Sequence, residues 1–501
     1  MRRLLTIFLS VLVLSGCISK PSEPAITLDG TLDVFYAQKL EWSDCGNSLE
    51  CSEFVVPVDY SDLSGETISI AINRHLATNQ SARLGSIVIN PGGPGGSGIT
   101  YVEAYESQFT ARLMKSFDIV GFDPRGVGKS APIECTPADV QDEIYASEST
   151  PDTAAEIKEY LKPLDMKPCA EAEGKIFNHV STVEVVKDLD ILRALLGEEQ
   201  LNYIGKSYGT QIGAVYASMF PANVGRFVLD GAVDMKATGL ELSLGQAAGF
   251  EEEFHRFARY CVQAFVKCVL GNSESDVLDR LMTFINKLDS KPLKTEGSRK
   301  LTESHAWMAL IGSMYAPQWT WDWLIDSLEA AYAGDGTALL DMADWQAGRQ
   351  PDGTYEDNSF DAFPAINCID YPYEPFDRDQ FMAQTMAVAP MLGRLFGWME
   401  GGCKDWPGKG ITMPADISAA ANSANPILVV GTVYDPATPV QWARNLTEQL
   451  GNARYLEFTG DGHTAYVSGS RCIDYRVDKF FTDGELPPEG LKCLPDQVLV
   501  N

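Results

Sequence analysis

Basic residues are scarce in this chain. Against 69 aspartates and glutamates it carries 39 lysines and arginines over 501 residues, a formal net charge of −30. A surface that acidic repels phosphates, which excludes nucleic acid as a partner. The balance suits a highly soluble exported protein, or a site that attracts cations such as a free amino terminus. Histidine is scarcer still, five in all, and no C-x-x-C pair occurs, so no metal and no cofactor is expected. Long apolar runs are missing too. The stretch Leu4 to Leu14 is too short to span a bilayer, and no internal repeat is found. What remains is ordinary for a globular protein, 45% hydrophobic and 22% charged. Its length exceeds one typical core, which predicts a large domain with a sizeable insertion, or two domains.

The first residues address the compartment. Met1-Arg2-Arg3 is a positive start, Leu4 to Leu14 is apolar, and Leu14-Ser15-Gly16-Cys17 resembles the bacterial lipobox, in which the cysteine becomes the lipid-modified first residue. This predicts an exported protein anchored to the bacterial cell envelope through Cys17, with the stretch from Ile18 to about Gly30 (Pro21, Pro24) as a tether. Removing Cys17 from eleven cysteines leaves ten, the even number a disulfide framework requires. Pairing sequence neighbours would give Cys45–Cys51, Cys135–Cys169, Cys261–Cys268, Cys368–Cys403 and Cys472–Cys493, although spacing alone does not fix connectivity.

Phe54 to Tyr60 and Thr67 to His75 alternate around the turn Ser61 to Gly65 and predict an antiparallel hairpin. Short apolar strands are expected at Ser86–Asn90, Phe117–Phe122, Leu201–Ile204, Arg226–Asp230, Pro426–Val430 and Arg454–Phe458, with helices at about 98–114, 182–196 and 210–219. Strands alternating with helices imply a parallel sheet. From about Val233 to Pro414 the strand pattern disappears, and this stretch holds seven of the nine tryptophans. A helical cap inserted over the sheet fits.

One stretch carries the chemistry. Gly205-Lys-Ser-Tyr-Gly209 sits between a strand and a helix, the nucleophile-elbow pattern. A serine held on a sharp turn needs almost no side chain two residues either side, so that strand and helix pack close and Oγ projects. Ser207 then needs a base and an oriented acid. Of the five histidines, His463 lies in the Gly-bracketed loop Gly460-Asp-Gly-His-Thr-Ala after the last strand. Asp435, in Gly431-Thr-Val-Tyr-Asp-Pro-Ala-Thr-Pro439, follows the penultimate strand. The order Ser207, Asp435, His463 is that of the α/β-hydrolases. Asp230 is the rival acid, and Asp461 lies too close in sequence to His463 to orient it easily. An oxyanion hole needs two backbone N–H groups, and Tyr208 and Gly93 are the candidates, the latter in Pro91-Gly-Gly-Pro-Gly95. Ser97 lacks an elbow. Asp123-Pro-Arg-Gly-Val-Gly-Lys-Ser130 nearly matches a phosphate-binding loop, but its first position is not glycine and Pro132 follows where a helix must begin.

With those residues in place, the chain resembles the secreted tripeptidyl aminopeptidase branch of the prolyl-aminopeptidase-like serine peptidases (family S33), with a TAP-like C-terminal region. The matching segments include Asn90–Gly98, Gly121–Ser130, Gly205–Thr210, Gly431–Pro439, Gly460–His463, Ala365–Asp370, Cys403–Pro407 and the tail from about Ser470 to Pro495. The resemblance implies an α/β-hydrolase fold, a mostly parallel central sheet with an inserted, mainly helical cap. The expected division is a leader (1–17), a tether (18–35), the first part of the core (36–232), the cap (233–414) and the second part with its Cys-bearing tail (415–501). It also implies a monomeric exopeptidase acting on peptides with a free amino terminus; an esterase on the same triad is the alternative. Cap acids would bind the substrate ammonium. Asp370 and Glu252 are the candidates, with Glu251 and Glu253 beside them, although residues 251–253 equally fit a solvated helix face. Trp319, Trp321 and Trp323 are expected in the cap core.

Overall fold

The computed structural model describes residues 27–147, 166–264, 268–399 and 403–496, so Cys17 and the leader lie outside the described residues. Ten strands form one sheet: β1 (Ser43–Gly46), β2 (Leu49–Pro57), β3 (Thr67–His75), β4 (Gly85–Asn90), β5 (Phe117–Phe122), β6 (Leu201–Lys206), β7 (Val224–Asp230), β8 (Ile427–Tyr434), β9 (Ala453–Asp461) and β10 (Lys492–Cys493). Their spatial order is β1-β2-β3-β5-β4-β6-β7-β8-β9-β10. β1, β2 and β3 pair antiparallel, as does β3 with β5, and every pair from β5 to β10 is parallel. This is the α/β-hydrolase fold predicted above.

Central strands are apolar because helices cover both faces. β4 and β5 are buried along their whole length. Ile87 and Ile89 face one layer, with Leu113 and Phe480, while Val88 faces the other, with Leu189 and Ile212. β4 lies between β5 and β6, so the chain reverses direction across the sheet there, and the crevice at the carboxyl ends is where such sheets hold a site. Asn90 at the end of β4 stands in register with Gly205 near the end of β6, which brings the loop after β4 against the elbow.

Sequence expectations fail at the periphery. β1 is fully exposed and β10 has two residues, so neither leaves an apolar pattern to read. The helix expected to about Met114 is three short pieces, Gly98–Glu103, Tyr105–Gln108 and Ala111–Ser116.

Between β7 and β8 the described elements are helices. Those at Gly239–Ala264, Glu274–Ser290, Glu303–Tyr315 and Trp321–Tyr332 bury a core of their own that includes Phe254, Phe257, Leu310, Trp321 and Leu324. The helix Ser359–Asp370 instead sends Ala362, Ala365, Ile366 and Ile369 into the core under the sheet. Trp321 is fully buried as expected, whereas Trp323 is 63% exposed and belongs to no core. All five disulfides join sequence neighbours as anticipated: Cys45–Cys51, Cys135–Cys169, Cys261–Cys268, Cys368–Cys403 and Cys472–Cys493. No described helix is long and apolar enough to cross a membrane.

Candidate active site

Ser207 occupies a left-handed backbone position with φ of 53°, a conformation costly for a residue with a side chain. The flanking glycines make it affordable. A Cβ on Gly205 would stand 2.2 Å from the Gly209 carbonyl oxygen, and one on Gly209 would stand 2.6 Å from that of Asn90. Strand, helix and the neighbouring β4 therefore meet at distances that only hydrogen side chains permit. The Ser207 N–H donates to the Asp230 carbonyl at 2.9 Å, tying the elbow to the end of β7.

His463 lies two residues beyond β9, and its Nδ1 contacts Asp435 Oδ1 at 2.9 Å and Oδ2 at 3.0 Å. With Nδ1–H donating to that carboxylate, Nε2 keeps its lone pair for a proton from Ser207. Asp435 is itself fixed by the N–H groups of Ala437, Thr438 and Thr464 and by the Thr438 hydroxyl. Thr438 Oγ1 also lies 3.3 Å from His463 Nδ1, and so braces both partners. On the other side Gly231, the residue after Asp230, abuts the imidazole: a Cβ there would be 3.2 Å from His463 Cε1. Elbow and base thus stand on either side of the carboxyl end of β7.

The rival acid is placed elsewhere. Asp230 accepts from the Ala465 and Tyr466 N–H groups and not from the imidazole. Asp461 pairs with Arg256 of the Gly239–Ala264 helix.

The glycine loop after β4 closes over the elbow. A Cβ on Gly92 would come within 2.8 Å of Ser207 Cβ and 3.3 Å of the Tyr208 nitrogen. Gly92 N–H donates to Asn90 Oδ1 and Gly96 N–H to the Gly92 carbonyl, and neither the Gly93 nor the Tyr208 N–H has a protein acceptor among the described residues. These two donors are the ones expected for an oxyanion. Ser97 is no nucleophile; its hydroxyl donates to Asp123 Oδ1 at 2.6 Å. Asp123 also accepts from Ile99 and Lys129 N–H. Burial pushes its carboxyl above the ordinary value, opposed by those same bonds. The phosphate-loop look-alike is therefore a structural turn: Arg125, fully buried, binds Asp188 at 2.7 Å and the Pro57 and Val58 carbonyls.

The helical region rests on both the acid and the base loops. His463 N–H donates to the Tyr315 carbonyl at 2.9 Å, and the Tyr315 ring stands edge-on to the imidazole at 5.3 Å. Gln246 donates to the Ala437 carbonyl, and Arg256 stacks over Tyr434 at 3.4 Å. Glu253 lies buried among Asp461, Asp435 and the Gly462 backbone, with Arg256 at 3.7 Å; burial first, then Asp461, pushes its carboxyl well above the usual range.

The two acids expected at the substrate ammonium are placed otherwise. Glu252 stands on the solvated helix face in a 2.8 Å ion pair with Arg259. Asp370 is buried, its oxygens taken by the Thr182 N–H and hydroxyl at 2.9 and 2.5 Å, and Thr182 Oγ1 in turn meets the Tyr208 hydroxyl at 2.6 Å. Burial pushes the Asp370 carboxyl up to about 7, with the Thr182 bonds opposing. Glu251 accepts from the Met391 and Leu392 N–H groups. Among the described residues no His, Cys, Asp and Glu cluster could hold a metal. Sequence reasoning missed Thr438; it lies inside a segment singled out above, yet its role as a brace depends on His463, a partner from a distant segment.

Known proteins bear on this geometry. Residues 389–493 match the family described as TAP-like protein. The chain is 36% identical to serine protease Hip1 of Mycobacterium tuberculosis over 96% of its own length and 95% of the relative's. It is 34% identical to carboxylesterase B of the same species, over 92% of this chain and 91% of that protein. With the tripeptidyl aminopeptidase of Streptomyces lividans it shares 30% identity, covering 91% and 87%.

Proposed function

Because the chain belongs to the tripeptidyl aminopeptidase branch of the prolyl-aminopeptidase-like serine peptidases, a family of serine hydrolases with the α/β-hydrolase fold, we propose that it is an exported exopeptidase that releases short peptides or single residues from free amino termini. The observation that carries the chemistry is the Asp435–His463 pair at 2.9 Å beside the strained Ser207 elbow. Ser207 Oγ attacks the scissile carbonyl as His463 Nε2 takes its proton, and Asp435 holds the imidazole. The Gly93 and Tyr208 N–H groups receive the oxyanion. His463 then returns the proton to the leaving amine, and water repeats the sequence to free the acyl group. The helices packed on the acid and base loops support an end-restricted substrate, and the net charge of −30 favours a cationic one. Five disulfides support export, with Cys17 as the lipid-modified residue on the envelope and the protein acting as a monomer.

The carboxylesterase B relatives favour a second reading, an esterase on the same triad, since fold and triad do not fix the leaving group. The test compares free and amino-blocked peptide amides carrying one, two or three residues before the scissile bond. Cleavage restricted to the free-amino series is the expected result, and the preferred length names the released product. Equal cleavage of the blocked series overturns the exopeptidase reading, and turnover of esters alone selects the second.

A further inference from the structure

We propose that Lys206 and Asp230 form a buried clamp that positions the catalytic base, acting on His463 through the turn that follows it. The two residues are register partners on adjacent strands, Lys206 closing β6 and Asp230 closing β7. Asp230 is fully buried and Lys206 nearly so. The backbone of Tyr466 is held between them: its N–H and that of Ala465 donate to the Asp230 carboxylate at 2.8 and 3.0 Å, and its carbonyl accepts from Lys206 Nζ at 3.1 Å. The Asp230 carbonyl meanwhile accepts the Ser207 N–H. One residue therefore grips the nucleophile by its backbone and the base loop by its side chain, and the residue preceding the nucleophile grips the same loop from the opposite charge. Thr464 and Val467 in this loop have positive φ, so the turn needs external partners to hold its shape.

Such a clamp fixes the one separation the triad leaves open. Asp435 sets the orientation of the imidazole, whereas the distance from Nε2 to Ser207 depends on where residues 464–466 sit on the end of β7. Two buried charges gripping the backbone on both sides of one residue, Tyr466, hold that distance more firmly than neutral bonds would. The other ionisable groups facing this region are Asp435 on the acid loop, Asp461 at the end of β9, Arg256, Glu253 and Tyr315 on the cap side, Tyr101 on the Gly98–Glu103 helix, the Tyr466 ring in the turn itself, and Asp474 on the Arg471–Asp483 helix, which accepts from Val467 N–H. Burial raises the Asp230 carboxyl above its ordinary value, opposed by the Lys206 charge, the two N–H donors and His463. Burial works against the Lys206 charge, but Tyr101 and Asp230 hold it above its ordinary value.

The clamp rests on the acyl-transfer role of Ser207 and not on substrate specificity. It is tested with a fluorophosphonate, which needs no peptide: the Ser207 Oγ–P bond forms, the P–F bond breaks, fluoride leaves and His463 takes the hydroxyl proton. Inactivation of the exported chain is followed against pH for the native protein, Asp230→Asn and Lys206→Met, with thermal midpoints recorded alongside. A positional error of order 1 Å predicts a maximal inactivation rate about 100-fold lower in both variants, with the half-saturating reagent concentration unchanged. The acidic limb, which reports the base, moves in opposite directions: about one pH unit down when the Asp230 charge is removed and about one unit up when Lys206 is removed. A limb that stays in place, or moves the same way in both, overturns the proposal and leaves the pair as packing. If Asp230→Asn does not fold, Lys206→Met decides alone: a maximal inactivation rate about 100-fold lower at an unchanged half-saturating concentration supports the clamp, and a rate within a few-fold of the native one sinks it. Failure of the native protein to label at Ser207 would instead overturn the acyl-transfer reading.

Discussion

His463 is held by partners from three separate segments: Asp435 and Thr438 at Nδ1, the Tyr315 carbonyl at its backbone N–H, and the end of β7, where Gly231 lies against Cε1 and Asp230 holds the residues that follow the histidine. Only the first of these fixes the tautomer. Asp435 accepts from three N–H groups and a hydroxyl besides the imidazole, so its carboxylate is wholly committed as an acceptor. Asp435→Asn keeps the shape but turns one acceptor into a donor, which favours the wrong tautomer. The expected outcome is a fall in kcat of about 10⁴-fold with KM little changed, measured on any turned-over substrate. A loss smaller than about tenfold would mean that Asp230, so close by, can take over as the acid. The glycines of the oxyanion loop belong to this scale as well. Gly92 has φ of 107° and no room for a Cβ beside Ser207, so its identity is a condition of the site and not of the turn alone.

Among the elements, the helix Ser359–Asp370 is tied at both ends. Asn358 bonds the Gly126 and Ile133 carbonyls, Asp361 accepts from Cys135 and Thr136, and Asp370 closes on Thr182. The last tie is the sensitive one, because Thr182 touches Tyr208, whose N–H is the donor proposed for the oxyanion. With the folded carboxyl near 7 and the ordinary value at 3.8, Asp370 binds its proton more tightly in the folded state. Its contribution to stability is complete below about pH 4 and is lost as pH rises through about 7. Comparing thermal midpoints at pH 5 and pH 8, the native protein is expected to lose more stability than Asp370→Asn, by an amount on the order of 3 kcal/mol at most. Parallel curves for the two proteins would refute this.

Across the whole molecule, apolar cores lie on both faces of the sheet, and a third, built on Phe254, Leu310 and Trp321, belongs to the helices. Tyr315, Gln246 and Arg256 join those helices to the acid and base loops. The Cys368–Cys403 bond spans 35 residues and ties the Ser359–Asp370 helix to the segment that returns toward β8. Closing a loop of that length restricts the unfolded chain by about 4 kcal/mol. Cys368→Ser with Cys403→Ser is therefore expected to lower the denaturation free energy by a few kcal/mol, and an unchanged unfolding midpoint in denaturant would show the link to be without weight.

The amino-acid sequence determined the parts of this protein whose physics is local. The elbow is legible because its five residues create their own steric demand, and the buried strands because apolar runs record burial on both faces. The candidate base could be singled out because His463 stands in a Gly-bracketed loop with few rivals. The disulfides do join neighbouring cysteines, although spacing alone left their connectivity open. What the tertiary structure alone decided are relations between residues far apart in the chain: the choice of Asp435 over Asp230, the burial of Asp370 on Thr182 while Glu252 faces solvent, and the exposure of Trp323 two residues from the buried Trp321. A carboxylate's role depends on which N–H groups and charges converge on it. Those came from segments as much as 236 residues away, as in the Tyr466 N–H on Asp230, and no local pattern encodes such a meeting.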